Sequence, residues 1–193
     1  KWEQDPTLRT AIVSPDRSHK GVLLLSKEGW ELVPVDVCFP VLHGKHGEDG
    51  TIQGLFQLAG IPFVGCDTIS SANCMDKEIT HTILEAHGIK MAKWLVVNHE
   101  KKQQVEQFAQ QAEEKLGYPM FVKPANAGSS VGVGKAHNRQ ELKAACETAL
   151  KEDYKAVVEE CIEMQEVETA VLGNADAKAA GVVGELVPVV EFY

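Results

Sequence analysis

The spacing of apolar and polar residues predicts alternating strands and helices along most of the chain. Apolar residues with period two or in short runs predict strands at 22–25, 30–35, 35–42, 62–64, 94–97, 120–123, 131–135, 156–160, 166–172 and 180–187. Helical spacing predicts helices at 51–59, 69–87, 100–116 and 139–150. The pattern is therefore that of a mixed protein in which no single element type dominates.

Local signals set the element boundaries. Gly60 and Gly88 follow apolar helical patterns and predict two helix ends, whereas Asp76 predicts a new helix start inside 69–87. Asn138 and Glu141 have the spacing of a capping box.

The order of the elements changes along the chain. Strand, helix and strand follow one another closely between 35 and 64, which predicts a parallel βαβ unit. The two predicted strands at 22–25 and 30–35 could form a hairpin. After 65–67 the pattern becomes α+β, and we place a domain boundary there.

Composition limits the classes of partner. A formal net charge of −9 argues against a nucleic-acid surface, and no apolar run is long enough to span a bilayer. The polar start of the sequence has no signal-peptide pattern, so we expect a cytoplasmic protein. Its five cysteines form no C-x-x-C pair, which favours buried free thiols.

The segment FVKPANAGSSVGVGK at 121–135 suggests a phosphate-binding loop. It fits neither the P-loop pattern nor the dinucleotide pattern G-x-G-x-x-G. Even so, the backbone N–H groups from Gly128 onward, the hydroxyls of Ser129 and Ser130, and the ammonium of Lys123 could converge on an anion. The alternative is an ordinary hairpin tip with a solvated lysine.

Further polar side chains stand at predicted element ends. Glu159, Glu160 and Glu166 form an acidic cluster that could bind a metal or ribose hydroxyls, or could be a solvated edge. His43 follows a predicted strand on the usual ligand side of a parallel sheet, although it could equally be a satisfied core histidine. Lys77 opposes the dipole at a helix start, which is a weak indication of function.

Two long segments carry a resemblance to a known family. DVCFPVLHGKHGEDGTIQGLFQLAGIPFVGCDTISSANCMDK at 36–77 and YPMFVKPANAGSSVGVGK at 118–135 resemble the D-alanine–D-alanine ligases of the ATP-grasp superfamily. VVEECIEMQEVETAVLGN and the later GELVPVVEFY match more loosely.

The resemblance implies an α/β and α+β protein with the ATP-grasp fold. It divides the chain into a partial N-terminal parallel α/β domain for substrate binding at 1–66, a central ATP-grasp domain at 67–158, and the start of the C-terminal ATP-grasp domain at 159–193.

The resemblance implies two groups of residues at the ATP phosphates. Lys77 and Lys123 match lysines that contact the phosphates, with Lys123 also near the purine. The loop containing Gly128, Ser129 and Ser130 matches the flap that closes over the phosphates. Ser129 also matches a serine that helps to orient the substrate-binding groups.

Other matches concern the base, the ribose and the reacting groups. Glu159 matches the acid at the adenine amino group, and Glu160 and Ile162 occupy the hinge that meets adenine through its backbone. Glu166 matches the ribose-binding acid. His43 matches the histidine beside the acyl phosphate and the attacking amine.

The implied activity is ATP-dependent ligation of two D-amino acids through an acyl phosphate, for peptidoglycan precursor synthesis. The implied partners are ATP, Mg²⁺ and D-alanine, within a homodimer and without a nucleic acid or membrane. The resemblance places the metal ligands outside this chain, together with other family segments at both ends, so we expect the chain alone to be inactive. It leaves open whether the second substrate is D-alanine, D-serine or D-lactate.

Two alternatives remain at the level of the sequence. One is another ATP-grasp carboxylate–amine ligase, and the other is a non-catalytic nucleotide-binding module. The segment LHGKHGEDG at 42–50 favours the dipeptide ligases, because that loop is typical of them.

Overall fold

The computed structural model describes residues 5–100, 105–128, 130–164, 167–173 and 178–185. It divides into two units, one that ends at Glu160 and one that begins at Cys161. Within the described ranges, every helix is too short or too polar to cross a membrane.

The first unit begins with an antiparallel sheet of three strands in the order β1-β2-β3. The strands are β1 (Thr10–Val13), β2 (Gly21–Ser26) and β3 (Gly29–Pro34). The predicted hairpin is confirmed as β2 and β3, but β1 was not predicted. After β1, the buried Ser14 lies 2.7 Å from Nδ1 of His19 and accepts from the backbone of Asp16, which fixes the turn into β2.

The prediction of a strand at 35–42 is wrong. A single parallel bridge joins Cys38 to Phe63, so the predicted parallel βαβ unit reduces to that bridge. Pro40 has no N–H to donate to a ladder, and the side chain of Phe39 is 73% exposed. Regular alternation here does not correspond to one buried and one solvated face.

The helices of the first half follow their local signals. Helix α1 (Thr51–Ala59) ends at Gly60, which has the left-handed φ of 68° that glycine adopts without strain. Helices α2 (Thr68–Met75) and α3 (Lys77–Ala86) are separated by Asp76, as predicted. The Asp76 carboxylate accepts from the N–H of Ile79 at 3.1 Å, so it caps α3.

The second half of this unit is a four-stranded antiparallel sheet covered by helices. Its strands, β4 (Trp94–Asn98), β5 (Met120–Pro124), β6 (Gly134–Ala136) and β7 (Lys155–Glu160), are ordered β4-β7-β5-β6. The predicted hairpin of β5 and β6 is confirmed.

Helices α4 (Val105–Lys115) and α5 (Arg139–Glu152) supply the apolar cover of this sheet. Asn138 caps α5 by accepting from the N–H of Glu141, as predicted. Alanine and aliphatic side chains make up most of the resulting core. Its buried members are Val97, Phe108, Ala109, Ala112, Met120, Val122, Ala136, Leu142, Cys146, Ala149, Leu150, Ala156 and Val158.

The cysteines only partly follow their prediction. All five are free, but Cys66 and Cys74 are exposed. Cys146 is buried, and burial raises the pKa of its thiol to about 12.

The second unit contains one antiparallel hairpin, β8 (Val167–Leu172) with β9 (Lys178–Glu185). The predicted strands at 166–172 and 180–187 are confirmed over their described parts, whereas Glu166 and 186–187 lie outside them. All ladders between named strands are therefore antiparallel in the described ranges, and the predicted parallel character of the first domain is not observed beyond the Cys38 bridge. The three-part division of the chain stays a prediction.

Candidate functional site

A lysine and a glutamate on neighbouring strands form the centre of the candidate site. Glu159 lies two positions along β7 from the ladder partner of Lys123 on β5, and side chains two positions apart on a strand share a face. Lys123 and Glu159 therefore project from the same face of the sheet. Lys123 Nζ donates to Glu159 Oε2 at 2.6 Å. The Glu159 side chain is only 10% exposed, so this charged hydrogen bond is largely shielded from solvent.

His81, which was not among the candidate residues, binds the other oxygen of the same carboxylate. Its Nε2 atom donates to Glu159 Oε1 at 2.9 Å, and its ring stacks on Trp94 with 5.3 Å between centroids. A weak signal existed in the sequence, since His81 lies four residues after Lys77 and therefore on the same face of α3.

Lys77 points from the start of α3 to the beginning of the glycine-rich loop. Its backbone N–H donates to the carbonyl of Ala125 at 3.0 Å, and its Nζ donates to that of Ala127 at 2.7 Å. Burial, together with the nearby charge of Lys123, lowers the pKa of Lys77. The charges of Lys77 and Lys123 thus interact, and the carboxylates of Glu159, Asp153 and Asp76 offset this repulsion only in part, since the pKa of Lys77 remains lowered.

A network of charged and polar side chains holds the start of α3 in place. Lys155 on β7 forms a salt bridge with Asp76 at 2.9 Å, and Asn126 donates to both Asp76 and Asp153. Burial alone would raise the pKa of Asp76, but the hydrogen bonds from Lys155 and from the backbone of Ile79 lower it. The network therefore fixes Lys77 relative to the loop that begins at Asn126.

The glycine-rich loop lies against the turn that contains His43. A Cβ atom on Gly128 would be 3.3 Å from the Cα of Gly44, so the two backbones approach each other closely and leave little room for a side chain at position 128. Glu48 closes this turn by accepting from the N–H of Gly44 at 2.5 Å. His43 itself is exposed. Two segments that the sequence separates by about eighty residues are thus adjacent, with Gly128 at their contact.

The remaining predicted residues are not all gathered at this point. Glu160 accepts from the backbone N–H of Lys93 at 2.8 Å, while Ser130 has a left-handed φ of 57°. Ile162 is exposed and lies in the second unit. Ser129 and Glu166 lie outside the described residues.

The predicted acidic cluster does not form a metal site in the part of the chain that the structure describes. Glu159 binds Lys123 and His81, and Glu160 binds Lys93. Across the described ranges, no three or more His, Cys, Asp or Glu side chains are grouped so that they could hold a metal ion.

Sequence patterns of two families match almost the whole chain. The pattern described as "D-ala D-ala ligase N-terminus" matches residues 2–66, and "D-ala D-ala ligase C-terminus" matches residues 83–193. The chain is 49% identical to a D-alanine–D-alanine ligase of Clostridium acetobutylicum over 194 residues, covering 100% of this chain and 52% of the relative. It is 54% identical to the corresponding Clostridium novyi ligase over 160 residues, covering 82% and 46%.

Solved structures of similar proteins have the same fold. The VanG D-Ala:D-Ser ligase of Enterococcus faecalis superimposes with a TM-score of 0.81 at 44% identity, over 92% of this chain and 50% of that one. The D-alanine-D-alanine ligase of Coxiella burnetii gives 0.73 at 31% identity, over 86% and 50%. The chain therefore spans about half the length of the relatives it matches.

Proposed function

The chain belongs to the D-alanine–D-alanine ligase family, and we propose that it carries the ATP-phosphate site of an enzyme that joins two D-amino acids. Its helices and antiparallel sheets form the ATP-grasp fold of that family. The proposed reaction transfers the γ-phosphoryl group of ATP to the carboxylate of a first D-alanine. The amine of a second D-amino acid then attacks the acyl phosphate and phosphate leaves, which yields a dipeptide for peptidoglycan precursor synthesis.

The convergence of Lys77 and Lys123 is the observation that carries the proposal. Burial and, after it, the nearby charge of Lys123 disfavour the charged form of Lys77 and lower its pKa. A polyphosphate would relieve this repulsion and would gain charge-assisted hydrogen bonds from both lysines. The site is thus built for an anion even though the whole chain is acidic.

Backbone groups extend the proposed phosphate site. Gly128 follows directly on Ala127, whose carbonyl accepts from Lys77, so the glycine-rich loop begins beside that ammonium. We assign phosphate contacts to the loop, including Ser129 and Ser130. A loop that covers the phosphates would also keep water from an acyl phosphate, which hydrolyses readily.

The remaining assignments place the base, the ribose and the reacting groups. Glu159 would accept from the adenine amino group and Glu166 would bind the ribose. Because the backbone N–H of Glu160 donates to the carbonyl of Lys93, a base would meet Glu160 through its carbonyl and Ile162 through its backbone. His43, next to the Gly44–Gly128 contact, would lie beside the acyl phosphate.

Magnesium is part of the proposal only as a requirement of the family's chemistry. The described side chains offer no three-ligand group for it, so they do not fit a resident metal. We place its ligands outside them and derive no step through the ion. The homodimer and the cytoplasmic location also stay predictions.

The decisive experiment is an assay of the full-length gene product with ATP, Mg²⁺ and D-alanine. We expect phosphate release and dipeptide formation that L-alanine does not support. Phosphate release only with a different carboxylate and amine would favour the alternative that the protein is another ATP-grasp ligase. Nucleotide binding without any phosphate release would favour the non-catalytic module and would contradict the ligase proposal.

A further inference from the structure

We infer that His81 is a positioning residue of the nucleotide site, which orients Glu159 and, through it, Lys123. The inference rests on the proposed function, since it concerns the same site. It adds a residue whose position in the sequence gave no assignment. His81 need not touch the nucleotide to have this role.

Glu159 is held by two donors from two different elements. His81 on α3 donates to Oε1 at 2.9 Å, and Lys123 on β5 donates to Oε2 at 2.6 Å. A carboxylate with one donor on each oxygen cannot turn about its last bond without breaking a hydrogen bond. The side chains of His81 and Glu159 are 16% and 10% exposed, so water replaces such a bond poorly.

The His81 ring is itself fixed on two further sides. It stacks on Trp94 of β4 with an interplanar angle of 29°, and its Nδ1 lies 3.1 Å from Sδ of Met91. Trp94 is the ladder partner of Glu159, so the stacking surface and the acceptor belong to one rigid pair of strands. These contacts direct Nε2, and not Nδ1, towards the carboxylate.

The helix geometry links His81 to the phosphates. Lys77 and His81 stand one turn apart on α3, so one rigid element supplies a phosphate ligand and the anchor of the carboxylate that holds the second lysine. If the bond from His81 is lost, Oε1 of Glu159 is left without a donor and the carboxylate can rotate away from Lys123. Lys123 then loses its fixed direction, and the entropy of ordering it is added to the cost of binding ATP.

A matched pair of substitutions at His81 distinguishes a donor at the position of Nε2 from one at the position of Nδ1. The amide nitrogen of glutamine reaches about as far as Nε2, whereas that of asparagine reaches only as far as Nδ1. In the full-length gene product, we expect His81→Asn to weaken binding of a non-hydrolysable ATP analogue roughly tenfold, the size of a charge-assisted hydrogen bond. We expect His81→Gln to remain within about threefold of the wild type, since it keeps a neutral donor to Glu159. His87→Gln, at the exposed residue that directly follows α3, is the control.

The double substitution of His81→Asn with Glu159→Gln tests whether His81 acts on nucleotide binding through the Glu159 carboxylate. If His81 acts through the carboxylate, His81→Asn adds little further loss of affinity in the Glu159→Gln background. Calorimetry gives the affinities, and thermal melting shows that each variant is folded. If His81→Asn does not fold, His81→Gln still tests the inference. A loss of affinity for the analogue in His81→Gln as large as the loss in Glu159→Gln would contradict it.

The outcomes distinguish this inference from the proposed function. If the wild type binds the analogue and Lys77→Ala abolishes binding, the phosphate site stands. In that case, equal affinities of the folded Asn, Gln and wild-type proteins would overturn the role of His81 alone. If the wild type does not bind the analogue at all, the proposed function fails first, and the inference that rests on it falls with it.

Discussion

Lys77 Nζ donates to the carbonyl oxygen of Ala127 at 2.7 Å, although the two residues are fifty positions apart in the chain. The bond joins the first residue of α3 to the start of the glycine-rich loop. It also directs a partly buried ammonium to the loop rather than to solvent. A phosphate oxygen that binds there would meet a lysine already pointing in its direction, which lowers the entropy that binding costs.

Replacement of Lys123 should weaken nucleotide binding strongly. Lys123→Ala removes the charge-assisted partner of a phosphate, so we expect a loss of affinity of at least about tenfold by calorimetry. Lys135→Ala is the matched control, because both ammonium groups lie over the ring of Phe121, at 5.8 Å for Lys123 and 5.4 Å for Lys135, whereas of the two only Lys123 forms a salt bridge among the described residues. Equal affinities of the two variants would contradict the assignment of Lys123.

The amine of Lys77 should lose its proton at lower pH than an exposed lysine. Burial and then the charge of Lys123 lower its pKa from 10.5, so competitive acetylation should follow a titration displaced below that of an ordinary lysine. A bound ATP analogue should move the titration back up, because the phosphates favour the charged form. If nucleotide leaves the labelling profile of Lys77 unchanged, the phosphates do not reach it.

The same shift makes stability depend on pH with a definite sign. Between the lowered pKa of Lys77 and 10.5, the unfolded chain holds more protons than the folded chain. The contribution of Lys77 to the free energy of unfolding therefore rises as pH increases through that window. Urea unfolding of the wild type and Lys77→Met should show this rise in the first and a flatter dependence in the second. A parallel dependence in both would contradict the burial of the ammonium.

The exposed and the buried thiols should differ clearly in reactivity. Cys66 and Cys74 are exposed and should react with a disulfide reagent at mildly alkaline pH. Cys146 is buried, and its pKa is raised to about 12 by burial, so it should react only when the protein unfolds. Mass mapping of the labelled peptides measures the difference. Labelling of Cys146 at the rate of Cys66 would be inconsistent with the core around α5.

Gly132 should tolerate alanine less well than Gly88. Both have a left-handed φ near 70°, so each alanine costs about 1 kcal/mol of backbone strain. At Gly132 the new Cβ would also lie 2.8 Å from the ring of Pro124, which β5 holds in the core, whereas Gly88 has open space. Overpacking adds about 1–3 kcal/mol, which urea unfolding of the two variants can resolve. Equal destabilisation would mean that the Pro124 contact is relieved freely.

Features with a local cause could be predicted from the sequence. Asp76 caps α3 and Gly60 ends α1 because the groups involved lie within four residues of each other. The strand at 35–42 failed because alternation reports which side chains could share a face, not whether a second strand pairs with them. Phe39 fits the pattern and is nevertheless exposed.

The candidate site likewise contains residues that local sequence signals indicate and residues whose role depends on distant contacts. Lys77 and Lys123 could be proposed from the sequence because a lysine at a helix start and one before a glycine-rich loop are unusual on their own. His81 was missed because its meaning depends on Glu159, which is 78 residues further along the chain. The pairing of these two is decided by the packing of α3 against the sheet. Ser129 and Glu166 stay predictions.

The strand order β4-β7-β5-β6 also sets the sequence of events when the chain is made. The last strand of this sheet to be synthesised, β7, lies between two earlier ones, so β4 and β5 lack their shared neighbour until Lys155–Glu160 has left the ribosome. Glu159 is in that strand, and its carboxylate reaches His81 and Lys123 only then. A nascent chain that stops before β7 thus has its two lysines but not the acid that orders one of them. The proposed nucleotide site is therefore the last part of this unit that can assemble during translation.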